Sequence, residues 1–167
     1  MMFCSECGAS VGLEVPEGDN RPRHVCTACK TIHYVNPRIV VGVVCTWAGR
    51  LLLCRRAIEP RVGFWTFPAG YLEMGESAED GAAREAFEEA GADVEIERLL
   101  AVYSLPEWSQ VQVFYAGRMR TPAFCAGEES LEAHLFSWGE IPWGDIAFPT
   151  IGRALRRYQR EEATIGK

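Results

Sequence analysis

The stretch Gly70–Ala92, GYLEMGESAEDGAAREAFEEAGA, places conflicting demands on one short piece of chain. Ser77 to Ala90 reads as a helix: Ala82, Ala83, Ala86, Phe87 and Ala90 make an apolar stripe of mostly small residues, and Gly91 supplies the C-terminal stop. Another face of that helix is acidic. Glu85, Glu88 and Glu89 stand at i, i+3 and i+4, where like charges repel. They also fall in the last two turns, where the helix dipole disfavours carboxylates. Across the whole stretch Glu73, Glu76, Glu79, Asp80, Glu85, Glu88 and Glu89 face a single basic residue, Arg84. A solvated acidic face, offset by Arg84 and salt, leaves the dipole term unopposed. A divalent cation reverses the sign of every term. Hard carboxylate oxygens suit Mg²⁺ or Mn²⁺, which bind through a few carboxylates plus water and substrate phosphates.

Around this helix the chain reads as mixed α/β. Arg38–Cys45 is nearly continuous and β-branched, as a buried strand should be, and Ala48-Gly49-Arg50 turns it into Leu51–Arg55. Phe64–Phe67 is a short strand that stops at Pro68-Ala69-Gly70. Val94–Leu105, Gln110–Met119 and Glu132–Trp138 read as further strands, and Pro149–Glu162 as a closing helix with Leu155 and Tyr158 facing inward. Strands mixed with two helices far apart in the chain imply helices on both faces of a mixed sheet.

Residues 1–33 carry no run long enough for a core. Cys4-x2-Cys7 and Cys26-x2-Cys29 have instead the spacing of a Cys₄ zinc ribbon, in which bound Zn²⁺ supplies the folding energy that burial cannot. Four thiolates leave the metal no open position, so such a zinc is structural. His24 and His33 are read as neighbours of the site or surface residues. These patterns divide the chain into a ribbon, 1–35, and a larger α/β domain, 36–167. Cys45, Cys54 and Cys125 stand apart and read as small core residues of a cytoplasmic protein, because no signal peptide precedes Cys4. The net charge of −6 argues against a large nucleic-acid footprint, and no apolar run approaches the ~18–20 residues of a membrane span.

Gly70-x5-Glu76-x7-Arg84-Glu85-Ala86-Phe87-Glu88-Glu89-Ala90-Gly91-Ala92 resembles the Nudix box, G-x5-E-x7-R-E-U-x-E-E-x-G-U with U aliphatic, at every specified position. Phe64–Gly70 is similar to the strand by which that family enters the box. The resemblance implies the Nudix α/β/α sandwich and metal-dependent hydrolysis of a nucleoside diphosphate linked to a group X. It implies that Glu85 and Glu89 ligate the metal, with Glu88 as a further ligand or water-activating base. Ala69 contributes its backbone carbonyl, Arg84 orients the glutamates, and Glu76 supports them. Leu131–Phe136 resembles the segment that carries a ligating glutamate in zinc-ribbon NADH pyrophosphatases, which makes Glu132 the expected fourth ligand and Glu129 the second choice or general base.

Two substrate groups follow from a ribbon placed before such a domain. The NADH pyrophosphatases carry S-Q-P-W-P-F-P-x-S past the box, where Glu107–Val113 keeps only Ser109-Gln110. A second group, which splits FAD and ADP-ribose, is similar along nearly the whole chain: Tyr34–Pro37, Gly70–Ser77, Glu129–Glu132 and Glu140–Pro142 carry the likeness. ADP-ribose or FAD is therefore the expected substrate, with AMP as one product, and NADH or NAD-capped RNA is the alternative. A non-catalytic ADP-ribose sensor is the rival from another class, although no box glutamate is missing. Trp108, in a loop-like segment, is the candidate for stacking on a base. Many members of the family are homodimers; no residue pattern here selects that state.

Overall fold

The computed structural model describes residues 1–165, which divide into two compact units between Pro37 and Arg38. In the first unit, strands Val11–Glu14 (β1), Arg23–Cys26 (β2) and Ile32–His33 (β3) pair antiparallel in that order, with Val11 opposite Cys26 and His24 opposite His33. Gly8 takes φ +75° beside the first cysteine pair, a left-handed conformation open to a residue without Cβ, and its N–H donates to Cys4 O at 3.0 Å. Among the described residues, Cys4, Val25 and Cys26 are the buried apolar side chains of this unit. That is too little burial to offset the entropy of ordering the segment, so its cohesion has to come from the cysteines.

The second unit is built on a seven-stranded mixed sheet. Its elements are Arg38–Trp47 (β4), Arg50–Arg56 (β5), Trp65–Thr66 (β6), Ala69–Tyr71 (β7), Ala78–Ala90 (α1), Val94–Leu105 (β8), Gln110–Met119 (β9), Ser130–Phe136 (β10) and Pro149–Ile165 (α2). The strand order is β10-β5-β4-β9-β8, with β4 and β9 parallel and the other pairs antiparallel. Alternation along the strands assigns the two faces. Val44, Leu51, Leu53, Phe114 and Ala116 bury against Ile151, Ala154, Leu155 and Tyr158 of α2. Their neighbours Val43, Cys45, Leu52, Cys54 and Tyr115 bury against Ala82, Ala86 and Ala90 of α1. Each face thus has its own core, and a one-residue slip of any long strand would exchange them.

A split in the sheet positions the site. β4 and β5 pair only beside their turn, at Thr46↔Leu51 and Trp47↔Arg50, and then diverge. β6 pairs with β5 and β7 with β4, so both fit into the gap. Pro68 therefore does not end the strand structure as the sequence suggests; the chain pairs again at Ala69, opposite Gly42. The closeness is steric as well: a Cβ on Gly42 would meet the Ala69 side chain at 2.6 Å.

Candidate active site and four-cysteine centre

α1 starts and stops as its sequence dictates. Ser77 Oγ accepts the Asp80 N–H at 3.1 Å, and Gly91, at φ 58°, donates its N–H to Phe87 O at 2.8 Å. The stripe Ala82, Ala86, Ala90 lies on the sheet and carries Glu85 and Glu89 to the open edge of β7, both buried to 8% exposure. Ala69 N–H donates to Glu89 Oε2 at 3.2 Å. Along the same ladder Val43 N–H bonds Pro68 O and Leu72 N–H bonds Ile39 O. Ala69 lies between these bonded positions, so both its N–H and its C=O turn away from β4, toward Glu89. Gly70 matters for a different reason: a Cβ there would displace the Glu85 carboxylate.

Arg84 is the hub of the acidic face. It binds Glu76 through Nε and Nη2 at 3.0 and 2.8 Å, Glu85 Oε1 and Glu88 Oε2 through Nη1 at 2.8 and 2.9 Å, and Tyr71 O through Nη2 at 3.1 Å. The mutual repulsion of the glutamates is therefore already offset in part by one guanidinium. Arg84, with the Glu73 N–H, holds Glu76 down to about 2. Burial moves the other two the opposite way. Glu85 is raised by desolvation against the pull of Arg84. Glu89 is pushed up to about 8 by desolvation; the Ala69 N–H and Arg56 oppose that shift, and Glu85 and Glu129 add to it. Two buried carboxylates that resist ionisation, beside an outward-turned carbonyl, form an oxygen donor set suited to a hard divalent cation.

The last strap of the site was not legible as such. Cys125 N–H bonds Ala90 O at 2.8 Å and Gly127 N–H bonds Glu89 O at 3.0 Å, so residues 125–127 satisfy carbonyls at the end of α1. Gly127 lies against Glu88 O so closely that no Cβ fits. Glu129 follows on the same segment, and its charge adds a small part to the upward shift that burial gives Glu85 and Glu89. Glu132 pairs in register with Arg55, binds it at 3.0 Å, and shares a face with Phe136, which packs with the α2 core. That places it across the sheet from the α1 glutamates. Cys125 is exposed rather than in the core, whereas Cys45 and Cys54 are buried.

Farther along the β4 edge, Tyr71 accepts a hydrogen bond from Gln110 Nε2 at 3.2 Å, and the Arg38 guanidinium stacks on its ring at 5.0 Å. Trp108 sits in a 3-10 turn, Pro106–Trp108, and is 67% exposed.

In the first unit the ligand atoms of Cys4, Cys7, Cys26 and Cys29 all lie within 4.8 Å of one another. Sulfur separations are 3.7 Å for Cys4–Cys29, 3.4 Å for Cys7–Cys26 and 3.5 Å for Cys7–Cys29. Zn–S bonds of about 2.3 Å in a tetrahedron require separations near ~3.8 Å, and a disulfide about 2.05 Å, so the four sulfurs fit a metal. N–H groups of Glu6, Ala28 and Cys29 point at Cys4 and Cys26 sulfurs. Thr31 lowers Cys29 to about 6. His33 Nε2 lies 3.2 Å from Cys4 Sγ, placed to donate to a thiolate rather than to replace it.

Comparison with known proteins agrees with both halves of the chain. The family model "Nudix N-terminal", a zinc ribbon, matches residues 2–35, and "NUDIX domain" matches residues 36–162. A crystal structure of a NUDIX hydrolase from Nitrosomonas europaea is 51% identical and covers 98% of this chain and 93% of its own, at a TM-score of 0.95. The NAD-capped RNA hydrolase NudC of Vibrio atlanticus is 36% identical over 93% of this chain, which spans 56% of that protein's length. The ADP-ribose pyrophosphatase of Methanocaldococcus jannaschii is 27% identical over 65% of this chain and 67% of its own. A complete acidic face, the carbonyl turned toward it and these likenesses lead to one assignment: the chain belongs to the Nudix hydrolase family and carries that family's N-terminal zinc ribbon.

Proposed function

We propose that the protein hydrolyses the pyrophosphate bond of ADP-ribose or FAD and releases AMP. The observation that carries the reading is the pair of buried carboxylates, Glu85 and Glu89, set beside the outward-turned Ala69 carbonyl. Glu85, Glu89, Glu88 and Ala69 O would hold Mg²⁺ or Mn²⁺, which supplies charge neutralisation to the diphosphate. Arg84 and Glu76 fix the carboxylates. Glu129, anchored behind residues 125–127, is the base for the attacking water. Trp108 offers an exposed ring to the base of the nucleotide. Zn²⁺ in the four-cysteine site is structural. We place the protein in the cytoplasm, and a homodimer is the assembly to test, since many members of the family form one.

ADP-ribose or FAD ranks first because the archaeal relative is an ADP-ribose pyrophosphatase and because Glu107–Val113 departs from the NADH-type motif. Hydrolysis of NADH or NAD-capped RNA is the second reading, favoured by the Vibrio relative's coverage of 93% of this chain. The test is Mg²⁺-dependent AMP release from ADP-ribose, FAD and NADH, with Glu89→Gln as control. ADP-ribose or FAD turnover that the control abolishes supports the first reading. Preference for NADH supports the second, and silence on all three by folded, metal-bound protein rejects both.

A further inference from the structure

We infer that the outer face of α2 is a docking surface for an acidic helix of a partner protein, independent of the pyrophosphatase reading above. α2 and the glutamate-bearing α1 pack on opposite faces of the sheet, so this surface is separate from the hydrolase site. Helical period lays it out. Ile151, Ala154, Leu155 and Tyr158 turn into the sheet, which leaves Arg153, Arg156 and Arg160 exposed at i, i+3 and i+7 on one outward face. At a rise of about 1.5 Å per residue the three span ~10 Å.

Acidic residues outnumber basic ones in this chain, 23 to 17, yet among the described residues no carboxylate pairs with any of the three. The neighbouring Arg98 and Arg157 are held by Glu161 at 2.6 and 2.8 Å. Aromatic rings hold two of the three instead. The Arg156 guanidinium lies 4.5 Å from the centre of the Trp143 ring, and that of Arg153 lies 4.9 Å from the centre of Tyr103. Stacking engages the face of a guanidinium and leaves its in-plane N–H donors for an acceptor. It also orders these side chains in advance, which lowers the entropy cost of binding. Beside them Trp143, Arg156, Gln159 and Arg160 line a cleft of about 330 Å³.

Charge complementarity selects an anionic partner, and the size of the stripe selects its class. Affinity for nucleic acid grows with the number of phosphates neutralised, and three guanidiniums in a chain of net charge −6 neutralise few. A carboxylate, by contrast, takes two parallel hydrogen bonds from a single guanidinium. Glutamates at i, i+4 and i+7 of a partner helix repeat the spacing of the arginines, so a helix laid antiparallel along α2 meets all three. An apolar side chain of the same helix fills the cleft against Trp143. Tryptophan and arginine are the residues on which interface energy concentrates.

The experiment follows the fluorescence anisotropy of three labelled probes: a helical peptide with glutamates at that spacing and one leucine, its glutamine counterpart, and single-stranded oligouridylate. Each is titrated with the full-length wild type, with a variant combining Arg153→Gln, Arg156→Gln and Arg160→Gln, and with Arg156→Glu alone. Wild type should bind the glutamate peptide saturably, more weakly as salt is raised, and at least about tenfold more tightly than the glutamine peptide. Both variants should lose at least about tenfold in that affinity and keep a melting temperature near that of wild type, because the three side chains are exposed. Arg156→Glu carries the test if the triple variant does not fold. The proposal is overturned if wild type does not bind the glutamate peptide saturably, or if the glutamine peptide or the variants come within about threefold of its affinity. Tighter binding of oligouridylate than of the glutamate peptide also overturns it, and marks a phosphate-binding surface instead.

Discussion

Glu89 is a carboxylate whose burial works against its charge. Its ordinary value of 4.5 is raised to about 8 by desolvation, so the folded, metal-free protein holds this proton more tightly than the unfolded chain does. The resulting stability is fully present below about 4.5 and is lost as pH rises through about 8. Glu76 has the opposite sign: its value near 2, set by Arg84, contributes stability above 4.5 that is lost as pH falls toward 2. On the proposed assignment of Glu89 as a ligand, metal would bind its ionised form. The rise in melting temperature caused by Mg²⁺ should therefore be small near about pH 5.5 and large near about pH 8.5. Glu89→Gln should flatten that dependence and raise metal-free stability at the alkaline end. A shift of equal size at both pH values would contradict this account. Gly70 makes a second residue-scale case. The box pattern marks it as a glycine, but its reason is spatial, because the Glu85 carboxylate occupies the place of a Cβ. Gly70→Ala should displace Glu85 and lower kcat by about 100-fold or more, measured alongside a weakened Mg²⁺ response.

Among the elements, those with a long period were readable and those defined by distant partners were not. β8 and β9 occupy the ranges expected from their residues, and α1 runs from its serine cap to its glycine stop. β7 was missed because it is three residues after a proline, and its pairing depends on the gap between β4 and β5. β1, β2 and β3 are too short to show alternation. The face on which Glu132 stands is not legible in the sequence, because a local likeness marks a carboxylate but not the side of a strand; the register with Arg55 decides that, and it is long-range. The strap 125–127 is legible only in Gly127, whose missing side chain permits contact with Glu88 O. Gly127→Ala should destabilise the fold by about 1–3 kcal/mol through overpacking, read by denaturant midpoint. Because Glu129 follows on the same segment, kcat should fall further than folded fraction accounts for, with KM little changed. Loss of activity strictly in step with unfolding would show that the strap does not position the base.

For the molecule as a whole, the two units are stabilised by different physics. The second has an apolar core on each face of its sheet, anchored by Phe67, Phe114, Leu51, Leu52, Leu53 and Leu155, all essentially buried. Burial alone can hold such a domain, at about 25 cal/mol per Å² of apolar surface. The first unit buries Cys4, Val25 and Cys26 and depends on four thiolates converging on one point. Metal affinity there is folding energy. Removing zinc, by a strong chelator or by Cys26→Ser, should therefore unfold residues 1–37 and spare the core that follows. In a ¹H–¹⁵N spectrum the ribbon's amides should collapse to random-coil positions, while those of β4, β8, β9 and α2 stay in place. In calorimetry the main transition should keep its temperature and a smaller zinc-dependent one should vanish. Mg²⁺-dependent turnover should survive chelation that is followed by Mg²⁺ replenishment, because Glu85, Glu89 and Ala69 all belong to the second unit. If instead the core melts with the ribbon, the thiolate centre stabilises both units and the division at Pro37 is geometric rather than energetic.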